Sequence, residues 1–221
     1  MLLLLVIENA LPQADVEAIR ADLERLEFSD GRASAGWAAR LVKHNKQAAP
    51  DPAAEAWRDR VAAALRNNAV FGIAAYPKRI IGPLFSRYAP GDHYGHHVDE
   101  PILDGHRSDL SFTLFLTDPS LYDGGELVID TASGEEAIKL DPGSAVLYPA
   151  TTLHRVAAVT RGTRYAAVGW VRSLIRSAEK RELLFDLETA RRRLFDLHGK
   201  TTDFDLLSKC AANLVRMWCD D

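Results

Sequence analysis

Apolar positions along this chain change their spacing twice, and each change marks a different kind of structure. Val16, Ile19, Leu23 and Leu26 recur every three or four residues, and Trp57, Val61, Ala64 and Leu65 follow a similar spacing after Pro52. Each set lies along one side of an α-helix, so two helices covering a sheet are expected. Pro52 suits an opening turn, where its missing amide donor needs no replacement. The leading run, residues 1–7, is apolar but stops at Glu8 and Asn9 and lacks a basic start. It is too short to cross a bilayer and reads as a buried strand.

From Ile80 to Val171 the pattern shifts to short runs of Val, Ile, Leu, Phe, Tyr and Thr broken by Pro, Gly, Asp and Ser. This predicts an antiparallel sandwich or barrel, with strands over 84–89, 110–116, 126–129, 136–140, 144–148, 154–159 and 165–171. Their close succession leaves no room for crossover helices. Beyond them, Leu183, Leu184, Leu187, Leu194 and Leu197 form one helical stripe, and Phe204, Leu207, Ala211, Leu214, Val215 and Trp218 form another. A C-terminal helical hairpin follows, punctuated by Gly199, with Thr202 and Asp205 as a capping box. The expected class is therefore mainly β with flanking helices. Residues 1–177 are expected to form one domain, its N-terminal helices covering the barrel, and 178–221 a helical extension. That extension needs a larger surface on which to bury its stripes, either this barrel or a second copy in a homodimer.

Composition narrows the partners. Of 221 residues, 31 are acidic and 27 basic, and the formal charge of -4 offers no whole-chain attraction to a polyanion. Neither nucleic acid nor a membrane is an expected partner. Arg191, Arg192 and Arg193 read as a solvated helix face, and Trp37, Lys43, His44 and Lys46 as a solvated loop. With only Cys210 and Cys219 there is no disulfide framework, which agrees with a reducing cytoplasm.

The chemistry concentrates in His96-His97-Val98-Asp99. In extended backbone, residues two apart emerge on one face, so His97 and Asp99 can approach the same metal. His154, at the entrance to a later strand, is the best third ligand. Two imidazoles and one carboxylate make the facial triad suited to non-haem Fe(II). Arg164 follows ten residues later and opens a strand pattern, so its guanidinium can point inward, where its rigid donor fork suits the distal carboxylate of 2-oxoglutarate. His93, His96 and His106 lack this spacing and read as solvated. Tyr94 and Trp170 read as core aromatics, and Glu126, after the Gly124-Gly125 turn, as structural.

These residues give the chain a resemblance to the prolyl-4-hydroxylase-like branch of the 2-oxoglutarate and Fe(II)-dependent dioxygenases, and within it to the bacterial PKHD-type hydroxylases. The specific segments are Arg87-Tyr88-Ala89-Pro90-Gly91-Asp92-His93-Tyr94-Gly95-His96-His97-Val98-Asp99, Asp123-Gly124-Gly125-Glu126-Leu127 and His154 through Arg164. The resemblance implies a double-stranded β-helix, or jelly-roll, core. It implies iron ligation by His97, Asp99 and His154, pairing of the cosubstrate carboxylate with Arg164, and a hydrogen bond to it from Tyr88. The spacing from Tyr88 to the first histidine is one residue shorter than in some prolyl hydroxylases. L-ascorbate support is a further implication.

The implied reaction uses oxygen and 2-oxoglutarate, releases succinate and carbon dioxide, and hydroxylates an aliphatic carbon. A peptidyl proline or lysine is one substrate class, and a free amino acid or siderophore-related metabolite another. A noncatalytic metal-binding or interaction module is the reading from a different functional class.

Overall fold

Residues 4–220 are described in the computed structural model, and two antiparallel sheets enclose the pocket. The larger has seven strands in the order Leu5–Ile7, Ala145–Pro149, Leu110–Phe115, Arg164–Ser173, Pro77–Tyr88, Lys46–Ala48 and Phe28–Asp30. The smaller has five, Gly134–Ile138, Leu127–Thr131, His154–Val156, His93–His97 and Lys43–His44. This is a mainly β jelly roll with flanking helices. In the leading run, Leu5–Ile7 pairs with Ala145–Pro149 as an edge strand, and residues 1–3 lie outside the described residues.

Alternation along the central strands builds two cores at once. In Leu110–Phe115, Leu110, Phe112 and Leu114 join the core beneath the helices, while Phe115 joins the core between the sheets. Arg164–Ser173 follows suit. Tyr165, Ala167 and Val171 go to the helix side, and Arg164, Val168 and Trp170 line the pocket. Such two-sided burial explains why these strands read as nearly continuous apolar runs with polar residues placed singly.

The helices α1 (Gln13–Leu23), α2 (Pro52–Asn67) and α3 (Ala69–Ala75) cover the outer face of the larger sheet. Val16, Ile19 and Leu23 are the buried side of α1, as their spacing predicts, and Leu26 packs just beyond its end. Asp51 caps α2 by accepting from the Ala53 amide at 2.8 Å, with Pro52 in the first turn. α3 is absent from the sequence expectations because seven residues are too few for a periodic stripe. Asn68 starts it by accepting from the Val70 and Phe71 amides, and fully buried Phe71 anchors it against Phe112.

The predicted hairpin is present as α4 (Ala178–His198) and α5 (Thr202–Trp218), turned by Gly199 at φ 69°. Its N-cap differs from the expected one. Thr201, not Thr202, accepts from the Phe204 amide, and Asp205 pairs with Lys200 instead of closing a capping box. Arg191 is likewise no merely solvated residue, since it binds the buried Glu188 and Ser208 across the hairpin. The hairpin packs on its own chain. α4 lies on α3, buries Leu184, and seats the Arg181 guanidinium on the Ile175 and Arg176 carbonyls. The chain end returns to the sheet, where the Asp220 amide donates to the Leu174 carbonyl at 2.7 Å.

Losing Leu184 alone forfeits about 2 kcal/mol of burial, so deleting residues 178–221 should lower the thermal midpoint by about 5 °C or more. Calorimetry of full-length and truncated chains checks this. An unchanged midpoint would remove the stabilising role of the hairpin.

Candidate active site

The first site feature is a matter of strand register. His93–His97 pairs antiparallel with His154–Val156 so that His97 stands directly opposite His154, and the two imidazole centroids are 4.2 Å apart. Asp99, two residues beyond His97, turns toward both rings. Its carboxylate oxygens lie 3.9 Å from His97 Nε2 and 3.8 Å from His154 Nε2. One ligand atom from each of the three residues falls within 4.8 Å of the others.

The donor set is oriented as a metal site requires. His97 Nδ1 donates to the Gly95 carbonyl at 2.8 Å and His154 Nδ1 to the Thr152 carbonyl at 2.9 Å. A carbonyl can only accept, so these bonds leave both Nε2 lone pairs free toward Asp99. Burial, helped by the charge of His154, pulls the His97 pKa down to about 4, which keeps the ring a neutral ligand at neutral pH. Ser111 Oγ donates to Asp99 Oδ2 at 2.5 Å and fixes the carboxylate. Tyr94 stacks on His97 with 3.6 Å between ring centroids.

Arg164 occupies another part of the same pocket. It is 1% exposed, faces Tyr88 across the sheet, and lies 5.1 Å from the Tyr88 ring and 5.4 Å from that of Phe115. None of its three guanidinium nitrogens has a hydrogen-bond partner among the described residues. Tyr122 places its phenol beside the guanidinium, whose influence opposes the upward pull of burial on it, though no hydrogen bond of good geometry joins the two. Burial holds Tyr88 up at about 12, leaving it a neutral donor beside the cation. A buried, unpaired guanidinium is costly, and a carboxylate is the anion that its fork fits. Gly125, at φ +68°, makes room for it. A Cβ there would meet Val159 Cγ2 at 2.9 Å, Arg164 Cδ at 3.0 Å and Tyr122 Cε2 at 3.2 Å.

The structure thus brings His97, Asp99, His154, Arg164 and Tyr88 to one pocket. His96 turns outward toward Asp130 and Glu135, His93 rests on His44, and His106 sits in a separate hairpin. Two expectations need correction. Trp170 lines the pocket and joins neither core, and Lys43 is 6% exposed instead of solvated. Tyr94 packs against the core between the sheets, as expected, and also lines the pocket. Trp37, His44 and Lys46 are exposed as expected. Lys43, Asn45 and Gln47 all face the pocket, in a strip whose period of two was the one available signal.

Residues 83–172 match the model of the 2OG-Fe(II) oxygenase superfamily. A PKHD-type hydroxylase of Picosynechococcus is 53% identical over 215 residues, covering 97% of this chain and 98% of that one. Another from Synechococcus elongatus is 51% identical, covering 99% and 100%. The chain belongs to the PKHD-type hydroxylases. It is accordingly a 2-oxoglutarate-dependent dioxygenase that uses Fe(II), which removes the noncatalytic reading. Among solved structures, a Pseudomonas putida prolyl-4-hydroxylase shares the fold at a TM-score of 0.56 and 23% identity, over 77% of this chain and 92% of that one. HygX from Streptomyces hygroscopicus does so at 0.57 and 18%, over 78% and 84%. As a PKHD-type hydroxylase, the chain takes oxygen and 2-oxoglutarate as cosubstrates beside a substrate of its own. Among its described residues, no helix is long and apolar enough to cross a membrane.

Proposed function

We propose that His97, Asp99 and His154 hold Fe(II), that Arg164 with Tyr88 holds the distal carboxylate of 2-oxoglutarate, and that an aliphatic carbon of a third molecule is hydroxylated between them. The observation that carries this reading is the pairing, in one pocket, of three converging ligand atoms with a buried guanidinium that has no partner of its own. Bound Fe(II) would activate oxygen, the oxidant, which takes two electrons from 2-oxoglutarate and two from the substrate, so that one oxygen atom ends in succinate as carbon dioxide is released and the other converts a C–H bond to C–OH. The side chains supply position and electrostatics. The two backbone carbonyls aim the imidazoles, Ser111 aims the carboxylate, and burial keeps competing water away from Arg164.

The decisive experiment is anaerobic titration of the purified chain with Fe(II) and then 2-oxoglutarate, followed by succinate measurement in air across peptides and small metabolites. Failure to bind either ligand would remove the assignment. Tyr88→Phe deletes one hydrogen bond to a charged group and should weaken 2-oxoglutarate about tenfold without moving Fe(II) affinity. Gly125→Ala has a harsher cause, because alanine must accept a positive φ and also press on the Arg164 stem. It should weaken 2-oxoglutarate by about tenfold or more, which the same titration reads.

Residues 1–177 carry the whole proposed site, and the 178–221 extension supports it from the helical side. The outer face of that extension leaves Leu183, Leu197, Leu206 and Met217 exposed. Pairing of two copies would cover them, and sedimentation of a monomeric full chain would remove the dimer. Cys210 and Cys219 are both exposed free thiols, which fits a reducing compartment such as the cytoplasm.

A further inference from the structure

The strip Lys43-His44-Asn45-Lys46-Gln47 lies outside the matched 83–172 region, yet its alternate residues form one wall of the active-site pocket. Lys43 is the most unusual of them. It is 6% exposed, and its ammonium donates to Ser34 Oγ at 2.9 Å and stands 4.9 Å from the Tyr94 ring centroid. No carboxylate among the described residues comes within ion-pair distance of it, although Asp99 and Asp30 lie near enough for their charge to be felt. Burial pulls its pKa down to about 8, so the ammonium is still charged at neutral pH and pays for that charge without a counterion.

Lys43 and Arg164 do not share a task. Arg164 lies among Tyr88, Tyr122 and Phe115, whereas Lys43 lies against Tyr94, on the side of His97 and Asp99. A second charge lines the pocket near Lys43. Glu100 packs on the backbone of Gly36, close to the Tyr94 phenol, whose ionisation it opposes. Its carboxylate also has no ion pair among the described residues. The pocket therefore carries a buried cation, held by Ser34 and the Tyr94 ring, and at its exposed rim a carboxylate, and neither has an ion-pair partner among the described residues. A residue inside a peptide offers neither charge from its main chain. A free amino acid offers both.

Resting on the site assignment above, we infer that the primary substrate is a free amino acid or amino-acid-like zwitterion, its carboxylate bound by Lys43 and its ammonium by Glu100. Hydrogen bonds to charged groups of this kind discriminate about tenfold or more against a partner lacking the charge. Asn45 and Gln47 complete the same polar wall.

The test uses the full-length chain loaded with Zn(II) and 2-oxoglutarate, titrated by calorimetry with the twenty common amino acids, their C-terminal amides and their N-acetyl derivatives. At least one free amino acid should bind about tenfold tighter than both its amide and its N-acetyl form. In Lys43→Met the preference for acid over amide should collapse to about onefold. In Glu100→Gln the preference for free amine over N-acetyl should collapse instead, while Lys43→Arg retains the acid preference. Thermal stabilisation of each variant by 2-oxoglutarate establishes that it is folded with its cosubstrate site intact. If the wild type binds 2-oxoglutarate but no amino acid binds more tightly than its blocked forms, or if Lys43→Met keeps the acid preference, the inference is overturned. Tighter binding of the amide and N-acetyl forms than of the free amino acid would point to a peptidyl substrate and overturn it as well. Loss of 2-oxoglutarate binding by the wild type would instead overturn the site assignment beneath it.

Discussion

Alanine at any one of His97, Asp99 or His154 will raise the Fe(II) dissociation constant by at least about 100-fold and bring succinate production to background. The three residues offer one donor each, their atoms lie within 4.8 Å of one another, and among the described residues no fourth His, Cys, Asp or Glu joins that group. His96 is the nearest imidazole in sequence, but it faces the half-buried Asp130 and exposed Glu135 on the opposite side of its strand. Asp99→Ala should be the most severe of the three, because it removes the only negative charge from the set and leaves the Ser111 hydroxyl without its acceptor. Iron titration with circular dichroism as a folding check reads the result. Normal iron affinity in any single variant would exclude that residue from the triad.

Replacing Arg164 should separate stability from function. Its guanidinium is buried, has no hydrogen-bond partner among the described residues, and lies beside the rings of Tyr88 and Phe115. Arg164→Met removes that unpaired charge while keeping most of the side-chain volume. It should stabilise the ligand-free protein by about 1–3 kcal/mol and weaken 2-oxoglutarate about 100-fold or more. Arg164→Lys keeps the charge but loses the two-donor fork, and should weaken 2-oxoglutarate about 10- to 100-fold. Thermal melts with and without 2-oxoglutarate measure both effects in one experiment. A methionine variant that is less stable when ligand-free, or that retains ordinary cosubstrate protection, would contradict the proposed clamp.

Local periodicity in the sequence determined the features whose cause is local. Val16, Ile19 and Leu23 had to share a helix face, and His97 and Asp99, two apart, needed only an extended step past the strand that ends at His97 to stand on one side. Arg164 had to alternate with Tyr165 and therefore to point away from the helical core once Tyr165 entered it. Even the resemblance rested on short runs such as His97 to Asp99 and His154 to Arg164. What pairs with what across the molecule has no such local cause. The opposition of His154 to His97 is decided by strand register, and the placement of Tyr94 on His97 and of Gly125 against Arg164 by how two sheets close. Lys43 shows the difference most plainly. Its residue type and its charged neighbours indicate solvent, and its strip is too short for a period of two to outweigh them. Only pairing of Lys43–His44 with His93–His97 at the sheet edge carries that ammonium into the pocket. The energy that buries it comes from contacts among residues far apart in the chain, which no local window of sequence contains.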